Sequence, residues 1–141
     1  MKPLDEKIKA YRNTIYVAHS DELGDVTFEV GRRAPQLDKL LRLRAAKTAA
    51  FITGDNPRGR LLHPKENSVR HRELRRRLRA QKFAWIEGQG RDRTGAWLPE
   101  RSVLIFGIDR PSAIGLGKDL GQFAIVFCQV GKSCQLVRCN K

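Results

Sequence analysis

Seven short apolar, β-rich runs divide this chain, and their order constrains the fold more than any other feature. They read TIYVAHS, VTFEVG, TAAFITG, KFAWIEG, RSVLIFGI, QFAIVFCQV and CQLVRC. Runs of this length, bounded by turn residues, are strand signals. Single helical patterns separate them. Leu4, Ile8 and Tyr11 have helical spacing between Lys2 and about Asn13. Pro35 can open a second helix from its first turn, with Leu37, Leu40, Leu41 and Ala45 as its buried stripe. Asn67 or Ser68 would cap a third helix reaching roughly Gln81, with His71, Leu74, Leu78 and Gln81 turned inward. Asp109 and Pro111 start a fourth, through about Gly121. GQGRDRTGAWLPE reads as a glycine-rich loop between the fourth and fifth strands. The resulting order, α, β, β, α, β, α, β, β, α, β, β, predicts an α+β fold. We expect one compact domain over residues 1–141, with about four helices on a mixed or largely antiparallel sheet.

At 141 residues the chain can bury roughly two-thirds of its unfolded surface, enough for a core without staples. MKPLDEKIKAY carries early acids and no apolar signal-peptide core. The longest apolar run, SVLIFGI, is too short to cross a bilayer. A soluble, cytoplasmic protein with no membrane partner is the expectation. Cys128, Cys134 and Cys139 form an odd set without a C-x2-C pair or a nearby histidine. That spacing argues for free thiols in strands and against a disulfide framework or zinc. No metal and no cofactor is expected.

Charge narrows the company the protein keeps. There are 28 basic and 15 acidic residues, a formal net charge of +13. Nineteen of the basic residues lie between Arg32 and Arg101 against seven acids, so +12 of the +13 sits in mid-chain. Such a field attracts polyanions without specifying one. It is densest in the third helix, where six arginines fall between Arg70 and Arg79 with one acid, Glu73. Arginine forks suit phosphate geometry. Arg58, Arg60, Arg70, Arg72, Arg75, Arg76 and Arg79 are the candidate polyanion contacts. The plainer reading is a solvated helix whose arginines pair with acids elsewhere in the fold.

A second candidate site lies at the end of TAAFITG. The turn TGDNPRG places Thr53, Asp55 and Asn56 where α/β sheets often hold ligands. It lacks the pattern of a P-loop. The start of the basic helix at Asn67 and Ser68 would offer free backbone N–H groups to an anion. Alternatively, Asn56 and Asn67 simply make turn and cap hydrogen bonds. Gly88, Gly90 and Gly95 do not form a dinucleotide fingerprint. Trp97 could stack on a base or cap a core edge. Glu87 and Glu100 could pair for acid–base chemistry or make salt bridges. His63 or His71 with Arg70 and Glu87 could supply a ribonuclease-like set, but no spacing demands it, and the catalytic residues are left unknown.

FITGDNP, EN, EGQG, W-x-x-E-x-S-x-L and GQFAIV together resemble an uncharacterised bacterial family, domain of unknown function 3293. The resemblance extends from about Tyr11 to Val137. It falls on Thr53, Asn56, Pro57, Asn67, Trp97, Glu100, Gln122 and Ala124. It implies a compact bacterial cytoplasmic domain in which Thr53, Asn56, Asn67 and Glu100 act together, as a site or a structural lock. It brings no activity with it.

Three functions follow from these readings. The first is a small basic binding module for nucleic acid, RNA or DNA, or another phosphate-rich partner, using the helix over 67–81. The second is an enzyme or sensor of a nucleotide-like ligand held by Thr53, Asn56, Asn67, Trp97, Glu100 and Gln122. The third is an interaction domain for an acidic protein partner, with the same charge serving complementarity.

Overall fold

The computed structural model describes residues 3–139, with side chains from Ile8 to Cys139. The helix start expected at Lys2 and the side chain of Leu4 lie outside that description. In chain order the elements are α1 (Pro3–Arg12), β1 (Thr14–Ser20), β2 (Gly24–Phe28), α2 (Pro35–Leu43), β3 (Thr48–Thr53), α3 (Pro64–Ala80), β4 (Ala84–Asp92), β5 (Glu100–Phe106), α4 (Arg110–Asp119), β6 (Ala124–Gln129) and β7 (Gln135–Arg138). The fold is α+β. All seven strands join one sheet in the order β2-β1-β4-β5-β3-β6-β7, and every neighbouring pair is antiparallel. Three hairpins, β1–β2, β4–β5 and β6–β7, account for six strands. The lone strand β3 fills the gap between β5 and β6, which places Thr53 at the end of an interior strand. No helix among the described residues is long and apolar enough to cross a membrane.

Alternation along the strands feeds two cores, one on each face of the sheet. On one face Ala49 and Phe51 of β3, Leu104 and Phe106 of β5 and Tyr16 of β1 meet Leu37, Leu40 and Leu41 of α2. On the other, Ala50, Ile52, Val103 and Ile105 meet Leu74 and Leu78 of α3 and Ala113 and Leu116 of α4. Strands β3, β5 and β6 read as continuous apolar runs because both of their faces are covered.

Gly88 and Gly90 belong to β4, so the expected glycine-rich loop is shorter than its composition suggested. Glycine hides the alternation that marks a strand, and here its missing side chain is what the packing uses. A Cβ at Gly88 would stand 2.3 Å from the Val17 carbonyl oxygen and 2.7 Å from Cε1 of Phe51. That space lets Phe51 lie on β4 and pack edge-on against Tyr16 and Phe28, with ring centroids 5.4 and 5.2 Å away.

Four local expectations change. Helix α3 begins three residues before Asn67: His63 is the N-cap and Pro64 takes the first turn. His63 Nδ1 accepts from the Lys65 N–H (3.1 Å), and Glu66 Oε1 accepts from the His63 N–H (3.2 Å), a capping box with histidine in the place of serine. Gln81 is exposed at the helix end, and Ala45 is exposed beyond α2 at φ 54°, outside the stripe assigned to it. Cys128, Cys134 and Cys139 are free and buried, but only Cys128 lies in a strand. Burial pushes the Cys139 thiol up to about 11.

Gly88→Ala should therefore cost about 1–3 kcal/mol, the usual penalty of overpacking a filled core. Gly90→Ala should cost less, because its nearest neighbour would be Thr14 Cγ2 at 3.3 Å. Urea midpoints of the two variants, compared at equal slope, check the order.

Candidate functional site

Where β3 ends, the chain leaves the sheet and its backbone is met by side chains. Thr53 Oγ1 donates to the Arg101 carbonyl (2.6 Å) and accepts the Asp55 N–H (3.0 Å), which starts the turn. Asn56 sits in the left-handed region at φ 49°, ψ 60°, a conformation asparagine tolerates better than most residues. Its Nδ2 donates to Glu100 Oε2 (2.8 Å), and its Oδ1 accepts from the Leu62 N–H and from Asn67 Nδ2 (both 2.9 Å). Asn67 Oδ1 in turn accepts the Asn56 N–H at 2.9 Å. Gln122 Nε2 donates to the Asp55 carbonyl (3.0 Å), and the Arg58 N–H donates to the Gly121 carbonyl (2.7 Å). Side chains from α3, β5 and the turn after α4 thus fix one loop.

This loop forms the polar end of a cavity of about 740 Å³. Thr53, Asn56, Asn67, Trp97, Glu100 and Gln122, the six candidates singled out in the sequence, all line it. They come from β3, the following turn, α3, the β4–β5 connection, β5 and the turn after α4. An aromatic wall is built by Tyr11 of α1, Tyr16 of β1, Phe51 of β3 and Phe123. Tyr16 Oη donates to the Tyr11 carbonyl (2.8 Å), tying α1 to the sheet. Burial raises both tyrosine hydroxyls well above their ordinary range, so they stay neutral. Leu61 and Leu98, 89% and 82% exposed, also belong to the lining.

Asp55 is the cavity residue with the least comfortable charge. It is 6% exposed. Its Oδ2 accepts the Arg101 N–H at 3.2 Å, while Oδ1 is buried with no hydrogen-bond partner among the described residues. Burial raises its carboxyl above the ordinary value, against the pull of the Arg101 N–H and of the charges on Arg101, His71 and Arg70. The sequence placed Asp55 in the turn, but nothing in its neighbours signalled that it would be buried. Tyr11, Tyr16, Phe51 and Phe123 were legible as core residues and not as a wall, since only the topology brings them together.

The arginines divide. Arg70 is half-buried and spent on backbone: Nε donates to the Gly54 carbonyl and Nη2 to the Leu120 carbonyl, both at 2.5 Å. Arg76 pairs with Glu73 at 2.5 Å. Arg79 lies 5.7 Å over the Trp85 ring. Arg58, Arg60 and Arg72 are exposed and meet no acid among the described residues, and Arg75 is partly buried with Nε unpartnered. The start of α3 also moves the anion-friendly N–H groups away from Asn67, whose own N–H donates to the His63 carbonyl at 3.1 Å.

The other constellations do not gather at the cavity. His71 is buried beside Glu87, Nε2 to Oε1 2.6 Å, on the α3 face of the sheet. His63 caps α3, and Arg70 faces backbone, so a His63 or His71, Arg70 and Glu87 set shares no common opening. Glu87 and Glu100 pair with Val103 and Gly90 across the β4–β5 ladder and point to opposite faces.

Replacing Asp55 by asparagine tests its burial. A carboxyl whose value is raised in the fold contributes most below its ordinary range, and that contribution is lost as pH climbs through the raised value. Asp55→Asn should therefore raise the thermal midpoint at pH 7, with the gain shrinking as pH falls toward 4. Melting curves across that range decide it.

No curated protein and no solved structure matches the chain. A family profile does, over residues 52–125, just over half of the chain and narrower than the stretch expected from the sequence. The matched region starts inside β3, holds all six polar and aromatic candidates named above, and ends in β6. The chain belongs to the family described as Protein of unknown function (DUF3293).

Proposed function

We propose that this domain binds a small nucleotide-like ligand in the cavity at the end of β3. The observation that carries the reading is the convergence of six side chains, from separated segments, on one concavity with an aromatic wall. Its volume of about 740 Å³ is within the range of small-molecule sites. A planar ring would lie along Trp97, Tyr11 and Phe51, and Glu100 would accept its N–H groups, since a carboxylate offers several acceptor positions. Arg58 and Arg60 flank Gly59, a lining residue, and would meet a phosphate at the mouth. Asn56 serves as the lock, because both of its side-chain groups are already engaged.

Glu100→Gln isolates the charge, because glutamine can still accept from Asn56 Nδ2. Calorimetric titration with the four ribonucleoside 5′-monophosphates and their nucleosides should show saturable binding of at least one nucleotide. Glu100→Gln should weaken it roughly tenfold or more, as expected for a hydrogen bond to a charged group. Arg58→Gln with Arg60→Gln should weaken the nucleotide and leave its nucleoside unchanged. Heatless titrations throughout, or equal affinity in Glu100→Gln, would refute the reading.

A further inference from the structure

The arginines of α3 are not one population. At roughly 100° per residue, with His71, Leu74 and Leu78 against the sheet, Arg70 and Arg77 fall on one flank and Arg72, Arg75 and Arg79 on the other. The first flank faces α4 and is consumed there: Arg70 holds the Gly54 and Leu120 carbonyls, and Arg77 pairs with Asp119 at 2.9 Å. The second flank meets no acid among the described residues within ion-pair distance.

The surface beside this second flank is also basic and lies beyond the core that α3 and α4 cover. The core beneath α3 and α4 draws on β3, β5 and β6 and includes no buried residue of β1 or β2. On that side β4 presents Trp85, Glu87, Gln89 and Arg91 in alternation. Gln89 pairs across the ladder with Arg101 of β5, whose guanidinium donates to Ser68 Oγ of α3 at 2.5 Å. Arg91 and Arg101 are exposed. Arg79 covers the indole of Trp85, which Glu87 steadies by accepting from Nε1 at 3.3 Å. Glu87 is the one acid of the strip, and it is engaged with His71 as well.

We infer that this flank of α3, with the adjoining strip of β4 and β5, is a binding surface for the phosphodiester backbone of a nucleic acid. It lies on the α3 face of the sheet, whereas Tyr16, Phe51 and Gly90 line the cavity from the other face; Arg101 and Ser68 stand at the border and line the cavity as well. Helix rise sets Arg72 and Arg79 about 10 Å apart along the axis. Measured along a duplex axis, that distance corresponds to roughly three base-pair steps at about 3.4 Å each. Arginine forks on a rigid helix hold their geometry without the ordering cost of a mobile tail. An acidic protein surface would satisfy the charge but not a regular spacing of like charges. The phosphodiester backbone does, and RNA and DNA share it.

The test is fluorescence anisotropy with labelled 20-mers of single-stranded RNA, single-stranded DNA and duplex DNA, over a salt series, with poly-glutamate as a further arm. At least one nucleic acid should bind near 150 mM salt, with log affinity falling linearly in log salt. Arg72→Gln with Arg79→Gln should weaken binding and flatten that slope by about 0.7–0.9 per arginine lost. Arg72→Lys with Arg79→Lys should keep most of the slope, and Arg77→Gln on the other flank should leave it unchanged. Circular dichroism of each variant secures the fold. An unchanged slope in the glutamine variant, or binding of poly-glutamate alone, overturns the inference. Ligand occupancy of the cavity has no part in this readout, so the two readings fail independently.

Discussion

Arg70 resolves the hardest problem in this fold. The chain must leave an interior strand and pass between two helices without stranding its backbone polar groups. Buried carbonyls without donors cost on the order of 1–3 kcal/mol each. One half-buried guanidinium answers two of them, at Gly54 and Leu120, and so clamps the end of β3 to the end of α4. The rest of the loop inherits that position. With Gly54 fixed, Asp55 can receive Gln122 on its carbonyl, and Asn56 can turn left-handed toward Glu100 and Asn67. The polar end of the cavity is a consequence of satisfying this backbone.

The elements were legible because each depends on local pattern. Leu37, Leu40 and Leu41 mark α2 by spacing, and the β5 run SVLIF marks a strand covered on both faces. What escaped notice depends on distant partners. Gly88 and Gly90 look like loop residues until Phe51 is seen occupying the space a side chain would need. His63 is an unusual cap, so the sequence signals the start of α3 at the nearby asparagine and serine instead. The candidates Thr53, Asn56, Asn67, Trp97, Glu100 and Gln122 were found as separate polar punctuation. Their meeting required the antiparallel insertion of β3 between β5 and β6. Arginine density was visible in the sequence, but its division between structural and exposed groups was not, because helix angle alone does not say where α4 lies.

The electrostatics of the cavity differ from those of the surface. A chain of net charge +13 keeps two carboxyl groups, Asp55 and Glu100, in the lining of its cavity. Among the described residues, Arg101 is the one basic residue lining it beside them, so the lining lacks the concentrated positive charge that the net charge suggests. On the proposed readings, surface arginines would raise the local concentration of polyanions, whereas the carboxyl groups within would favour groups that donate hydrogen bonds. A molecule with both features satisfies both regions, and a simple anion satisfies only one.

The cavity also crosses the boundary of the family match. Its hydrogen-bonding end, from Thr53 to Gln122, lies inside residues 52–125, while Tyr11, Thr14 and Tyr16 lie before it. The polar contacts thus fall within the matched stretch, while the aromatic lining is drawn from both sides of its boundary. Exchanging the first helix and strand for those of another family member would resize the aromatic wall and leave the lock of Asn56, Asn67 and Glu100 whole. On the proposed reading, a change confined to the N-terminal segment would reshape the hollow without touching its polar grip.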